Sequence, residues 1–376
     1  MLESKTTAII RTPLILMVIL IHNSGINLHG IRVDDLYINF NNLCYTDIYN
    51  ITRIISVNVI SRVAVPLFFI LSGYYFFNKT DFTAYTYLRK LQRRIKTIVI
   101  PYLLWNLIAI IPFYNFILFM FRDIPFTFSI PSTYQIFWNY DLYASNSITS
   151  NSFDNGFLTH PANMPLWYIK ELMVLFIFAP LLYFILTKTN YLFFGLLIIC
   201  TIFKKWPSFI PFSYSAVLFF SIGAYISIKK LTLSDVAAKL KRINKYFFPI
   251  LFTIISFTTC CRIETFGLKY IFYLSLAIFL FNIFTRLAES KYCNILESLS
   301  HYVFFAFCIH YTDIFRTITK IPLDKLFHNN IVENSILLSI LSFYLYPVCV
   351  LAFCVITQYA IYKISPKVVY ILTGKR

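Results

Sequence analysis

Acidic side chains are scarce in this chain. Only 16 Asp and Glu stand against 33 Lys and Arg in 376 residues, and charged residues of either sign make up 13%. A soluble domain is about 25% charged and about 45–50% apolar, whereas here 59% of the residues are apolar or aromatic. That is too little charge to cover a water-facing surface around so large a core. Glycine is also sparse, at 8 residues, and there is no low-complexity tract or internal repeat. The 8 cysteines follow neither a disulfide framework nor the ligand spacings of a zinc site. The N-terminal segment lacks the layout of a cleavable signal peptide, so its apolar run is expected to remain as a first span. No lipidation motif stands out.

What remains is a series of apolar runs separated by short polar stretches. A hydrocarbon core of about 30 Å takes roughly 20 residues of helix to cross, and lipid offers the backbone no hydrogen-bond partner, so such runs must be helical. The reading is an all-α transmembrane bundle of about ten spans in one domain over 1–376. The spans fall at 8–26, 54–77, 97–119, 166–187, 191–203, 214–228, 246–261, 270–285, 296–317 and 335–362, with the fifth the shortest. The formal charge of +17 suggests nucleic acid only until it is mapped. The two densest basic stretches, 79–96 and 229–245, lie on one side if the termini are cytoplasmic, as the positive-inside rule requires. The charge is then an orientation signal with some attraction to anionic lipid headgroups, and no nucleic-acid partner is expected. The 229–245 segment has the spacing of an amphipathic surface helix. The 122–165 stretch, rich in Ser, Asn, Thr and Tyr, is an extracytoplasmic loop too long to be a simple connector.

Ionisable residues inside spans cost at least about 2.5–3.5 kcal/mol on insertion scales and therefore mark functional positions by default. Arg11 and His22 share the first span. Eleven steps of about 100° return His22 to within about 20° of Arg11, some 16–17 Å further along the helix, so one stripe joins an inner cation to a deep imidazole. A snorkelling Arg and a structural His would give the same pattern. Arg62 lies in the outer half of the second span, four residues before Pro66, which cannot donate to its carbonyl. Lys170 and Glu171 enter the fourth span behind Trp167 and Tyr168, a pair that fits an interfacial belt. Glu171 is the carboxylate expected to pair with Arg62 or His22. His310, in the ninth span, falls at a similar depth, as a core or a functional histidine. On the inner side, Arg89, Arg93 and Lys96 form a helical ridge suited to phosphates or headgroups.

At these residues the chain resembles the acyltransferase-3 family of integral membrane O-acyltransferases. The resemblance is carried by Arg11 with His22, the run from Ser61 and Arg62 through Pro66 to Ser72 and Gly73, the basic run ending at Arg93, Arg94 and Lys96 before Pro101 and Tyr102, and Leu166, Trp167 and Tyr168. It covers most of the chain and implies transfer of an acyl group, usually acetyl from acetyl-CoA, to a hydroxyl of a surface polysaccharide or glycolipid. By this resemblance His22 is the catalytic residue and Arg11 its motif partner. Arg93 and Lys96 stand where the family has an Arg-x-x-Arg associated with the CoA donor, and Lys lacks the planar fork of Arg. A single-domain member is implied, in the inner membrane, with acetyl-CoA as substrate and no permanently bound cofactor or metal. A neutral His22 can act as a general base or carry the acyl group itself, and Arg62 can stabilise an oxyanion. Glu171 joins them as a catalytic candidate, with Trp167 and His310 as binding candidates. The rival reading is a glycolipid or polysaccharide transporter, which is less suited to a chain with so few glycines, few buried acids and no paired repeat.

Overall fold

The computed structural model describes residues 2–22, 36–78, 82–122, 130–140, 159–189, 191–203, 213–265, 267–327, 332 and 334–375. Among them the regular structure is helical throughout, with no strand. Six helices are long and apolar enough to cross a membrane: Leu2–Ile21, Asp47–Phe77, Ala84–Leu118, Leu233–Cys260, Leu268–Ala288 and Ile336–Ile364. A seventh span arises if Met164–Ile177 and Ala179–Lys188, bent by 65° where Pro180 opens the second helix, are counted together. The chain is thus a multi-pass helical membrane protein.

The remaining predicted spans take other forms. Tyr191–Ile202 has 12 residues and Tyr214–Ile228 has 15, short of a full crossing at 1.5 Å per residue. The ninth is divided into Cys293–Ser300, Val303–Ile309 and a further helical stretch from Asp313 to Phe327. Residues 23–26 of the first predicted span lie outside the described residues, as do 123–129 and 141–158 of the predicted loop.

Three helical stretches change their winding just before a proline. A π turn over Ile55–Ile60 and a 3-10 turn over Ser61–Val63 precede Pro66. A π turn over Ile95–Val99 precedes Pro101, and another over Arg316–Lys320 precedes Pro322. A proline removes the bond to the carbonyl four residues back, here that of Arg62, Thr97 or Ile318. Each freed carbonyl falls within the irregular turn, where the ladder is already rearranged. The Arg62 carbonyl that Pro66 cannot reach therefore sits in a change of helical winding.

The Ala64–Phe77 and Tyr214–Ile228 helices cross in close contact. Gly73 and Gly223 face each other's helix there. A Cβ on Gly73 would lie 2.0 Å from the carbonyl oxygen of Phe220, and one on Gly223 would lie 1.9 Å from that of Ile70. Small residues that let backbones touch are how membrane helices gain packing energy when the hydrophobic effect offers none. Phe76, Phe176 and Phe220 fill the space beside this crossing.

One end of the bundle gathers the basic segments and the N-terminal helix. The Glu3 carboxylate accepts from the backbone N–H groups of Leu233 and Ser234, capping the Leu233–Cys260 helix. Thr7 meets the Tyr75 hydroxyl, and Lys90 Nζ donates to the Phe76 carbonyl at 2.6 Å. Trp105 Nε1 donates to Leu372. The N-terminal helix, the 84–96 ridge and the start of the Leu233–Cys260 helix therefore share a side.

Candidate active site

Two helix C-termini meet to make the site. The Arg11–Ile21 helix ends at His22, and the Val303–Ile309 helix ends at His310. Their imidazoles lie 5.3 Å apart between ring centroids and are tilted by 44°. Tyr311 stands 4.9 Å from His22, and the Arg316 guanidinium lies 5.1 Å over the Tyr311 ring. A small cavity runs between these groups, lined on its polar side by His22, His310, Tyr311, Arg316, Thr319 and Tyr346. Its volume is about 30 Å³. One water needs about 10–15 Å³ by such a measure, so the space among these groups fits a hydroxyl or a carbonyl.

His310 is buried at 6% exposure. Its Nδ1 lies 2.9 Å from the Ala306 carbonyl. A carbonyl only accepts, so Nδ1 carries the proton and, in the neutral ring, Nε2 is left with a lone pair. That Nε2 is buried and makes no hydrogen bond among the described residues. His22 is half-buried at the end of its helix, with Arg11 at the helix start. The continuous helix between them keeps the same-face stripe read from the sequence.

The other predicted residues are placed elsewhere. Arg62, half-buried, has Nη2 3.4 Å from Asn58 Oδ1 within its own helix and is not among the residues lining the cavity. Glu171, at 1% exposure, accepts from Ser213 twice, from the backbone N–H at 3.1 Å and from Oγ at 2.9 Å. It thereby fixes the N-cap of the Tyr214–Ile228 helix, and no ion pair among the described residues joins it to Arg62 or His22. A buried carboxylate needs this many donors to be tolerated, which gives it a packing role. Trp167 is half-buried against the core. Tyr168 is a core residue rather than part of an interfacial belt, with its hydroxyl 2.8 Å from Ser72 Oγ.

The basic ridge divides into two faces. Arg89, Arg93 and Lys96 are exposed. Lys90 and Arg94 turn inward, the first to the Phe76 carbonyl and the second 5.1 Å over the Phe176 ring. At the opposite end of the bundle, Lys170 Nζ donates to Thr159 and, at 3.3 Å, to the Trp138 carbonyl. It pins the described parts of the 122–165 stretch onto the bundle.

The model of an acyltransferase domain family, acyltransferase-3, matches residues 9–359. The chain belongs to the acyltransferase-3 family. The match spans every element of the site, from Arg11 through His310 to Tyr346. In this acyltransferase-family chain, His22 lies against a second imidazole, His310, from the far end of the matched region. No curated protein and no solved structure matches the chain. Sequence reasoning placed His310 and His22 at matched depth but missed Tyr311, Arg316 and Tyr346. Arg316 was readable as a cation at the end of an apolar run, six residues after His310. Arg53 was also missed: it is 1% exposed, with its guanidinium 5.4 Å over the Tyr49 ring, because the helix begins well before the apolar run does.

Proposed function

We propose that this acyltransferase moves an acetyl group from acetyl-CoA to a hydroxyl of a surface polysaccharide or a lipid-linked saccharide, from the inner membrane of the cell, with both termini cytoplasmic. The observation that carries the reading is His22, the family's motif histidine, lining one small cavity with His310 and Arg316. A histidine beside a cation can receive a proton or an acyl group while the cation steadies the developing oxyanion. The cavity's small volume suits a single reacting group, with the bulk of both substrates held outside it. Arg316 fits the oxyanion role better than Arg62, since it lines the cavity and Arg62 does not. Arg93 and Lys96, exposed on the end that also carries the 229–245 segment, are available to CoA phosphates from the aqueous phase.

Membranes containing the full chain, supplied with radiolabelled acetyl-CoA, should incorporate label into their saccharide fraction. Membranes bearing His22→Ala should not. Uptake or flipping of the saccharide with no acetyl incorporation would favour the transporter.

A further inference from the structure

An acylated histidine cannot also be a base. Once a ring nitrogen of His22 holds an acyl group, its lone pair is committed to the carbonyl, and the incoming hydroxyl must lose its proton to another group. His310 has the position and the protonation for that task. Its ring is 5.3 Å from that of His22 between centroids, it lines the same cavity, and its Nδ1–H is tied to the Ala306 carbonyl. The tie fixes the tautomer and leaves Nε2 as an acceptor, buried and without a hydrogen bond among the described residues. A buried, unsatisfied acceptor is expensive to maintain in a core, and a transient hydroxyl donor is the group that would satisfy it.

We propose that the two imidazoles divide the reaction, His22 carrying the acyl group and His310 taking the proton of the acceptor hydroxyl. This rests on the acyl-transfer reading above and adds a second catalytic residue to it. In the first step a ring nitrogen of His22 attacks the thioester carbonyl. The carbon–sulfur bond breaks, and CoA leaves with the proton released from the His22 ring, so that a neutral acyl-imidazole remains. In the second step the acceptor oxygen attacks that carbonyl while its proton passes to His310 Nε2. The carbon–nitrogen bond breaks, the electron pair returns to the His22 ring, and the proton is handed from His310 to that ring. Both histidines end as they began, and the net change is one ester and one free thiol. Arg316 and the Tyr311 ring beneath it border the space where the carbonyl oxygen becomes negative.

The division predicts that the half-reactions separate. Exchange of labelled CoA into acetyl-CoA requires only the first step, whereas transfer of labelled acetyl into the membrane saccharide fraction requires both. The probes are acetyl-CoA and CoA alone, applied to membranes containing the full chain. His310→Asn keeps an amide donor near the place of Nδ1 for the Ala306 carbonyl and removes the base. It should retain exchange within about threefold and lose saccharide transfer by at least about 10²-fold, the low end for loss of a general base. His22→Ala should lose both. In His310→Ala, added imidazole should restore part of the transfer, which a misfolded protein would not permit. Transfer near the wild-type rate in His310→Asn overturns the inference, and so does loss of exchange together with transfer, which would make His310 a donor-binding residue. Wild-type membranes that transfer acetyl without exchanging CoA would also overturn it, while leaving the acyltransferase reading intact. Wild-type membranes that do neither would sink that reading first.

Discussion

The His310 imidazole lies 5.3 Å, centroid to centroid, from that of His22, although the two come from opposite ends of the chain. The contact exists because the Arg11–Ile21 and Val303–Ile309 helices pack together and both end at the same level, each delivering its histidine as the residue after the last full turn.

Loss of the His22 ring should therefore remove activity without dismantling the bundle. His22→Ala and His22→Gln should each lower saccharide acetylation by at least about 10²-fold while thermal stability in detergent changes little, since His22 is only half-buried. His301, exposed near the start of the broken ninth segment, serves as the control and should tolerate Ala. An active His22→Gln protein would leave His22 with a hydrogen-bonding role alone.

Glu171 should behave as a structural residue. Its two bonds from Ser213 predict that Glu171→Gln and Ser213→Ala each lower the melting temperature. Because both act on the same contact, the double variant should fall short of the sum of the single effects. Activity per folded molecule should stay within a few-fold of wild type. A kcat loss as large as that of His22→Ala, with stability unchanged, would return Glu171 to the chemistry.

The two faces of the basic ridge should separate in kinetics. Arg93→Ala with Lys96→Ala removes exposed cations, so the KM for acetyl-CoA should rise with kcat nearly constant, the signature of contacts made equally in ground and transition states. Arg94→Ala removes a cation stacked over Phe176 and should instead lower stability, by about 0.5–2 kcal/mol for such a contact. An unchanged donor KM in the first variant would leave the ridge with a topological role only.

At the helix crossing, Gly73→Ala or Gly223→Ala places a methyl group about 2 Å from a backbone carbonyl of the facing helix. The helices must separate. A cost at or above the usual 1–3 kcal/mol for overpacking is expected, read as reduced yield of folded protein and a lower melting temperature. Gly195→Ala, where a Cβ meets nothing within 4 Å, should be neutral. Equal stability of all three variants would show that the crossing is looser than described.

The orientation is checked by cysteine labelling from outside the cell, in a background without the native cysteines. A cysteine at Ile130, which is 80% exposed at the Lys170-pinned end, should react. One at Tyr85, 73% exposed on the end carrying the basic ridge, should not. Reversed labelling would invert the bundle.

Composition and the spacing of apolar runs were enough to determine that this chain is a helical membrane protein, because lipid leaves a buried backbone no other way to satisfy its hydrogen bonds. The Arg11–His22 stripe was equally legible, since helix geometry fixes the relation between two residues on one uninterrupted helix. Which polar groups face one another was not legible. Glu171 looked like a partner for Arg62 or His22 by depth alone, but rotation about its helix axis turned it to Ser213. His310 looked no more functional than any core histidine, until the packing of two distant helices brought it to His22. Depth along a helix can be read from sequence because it accumulates residue by residue. Azimuth between helices is set by side-chain packing, and that is decided only when the whole bundle assembles.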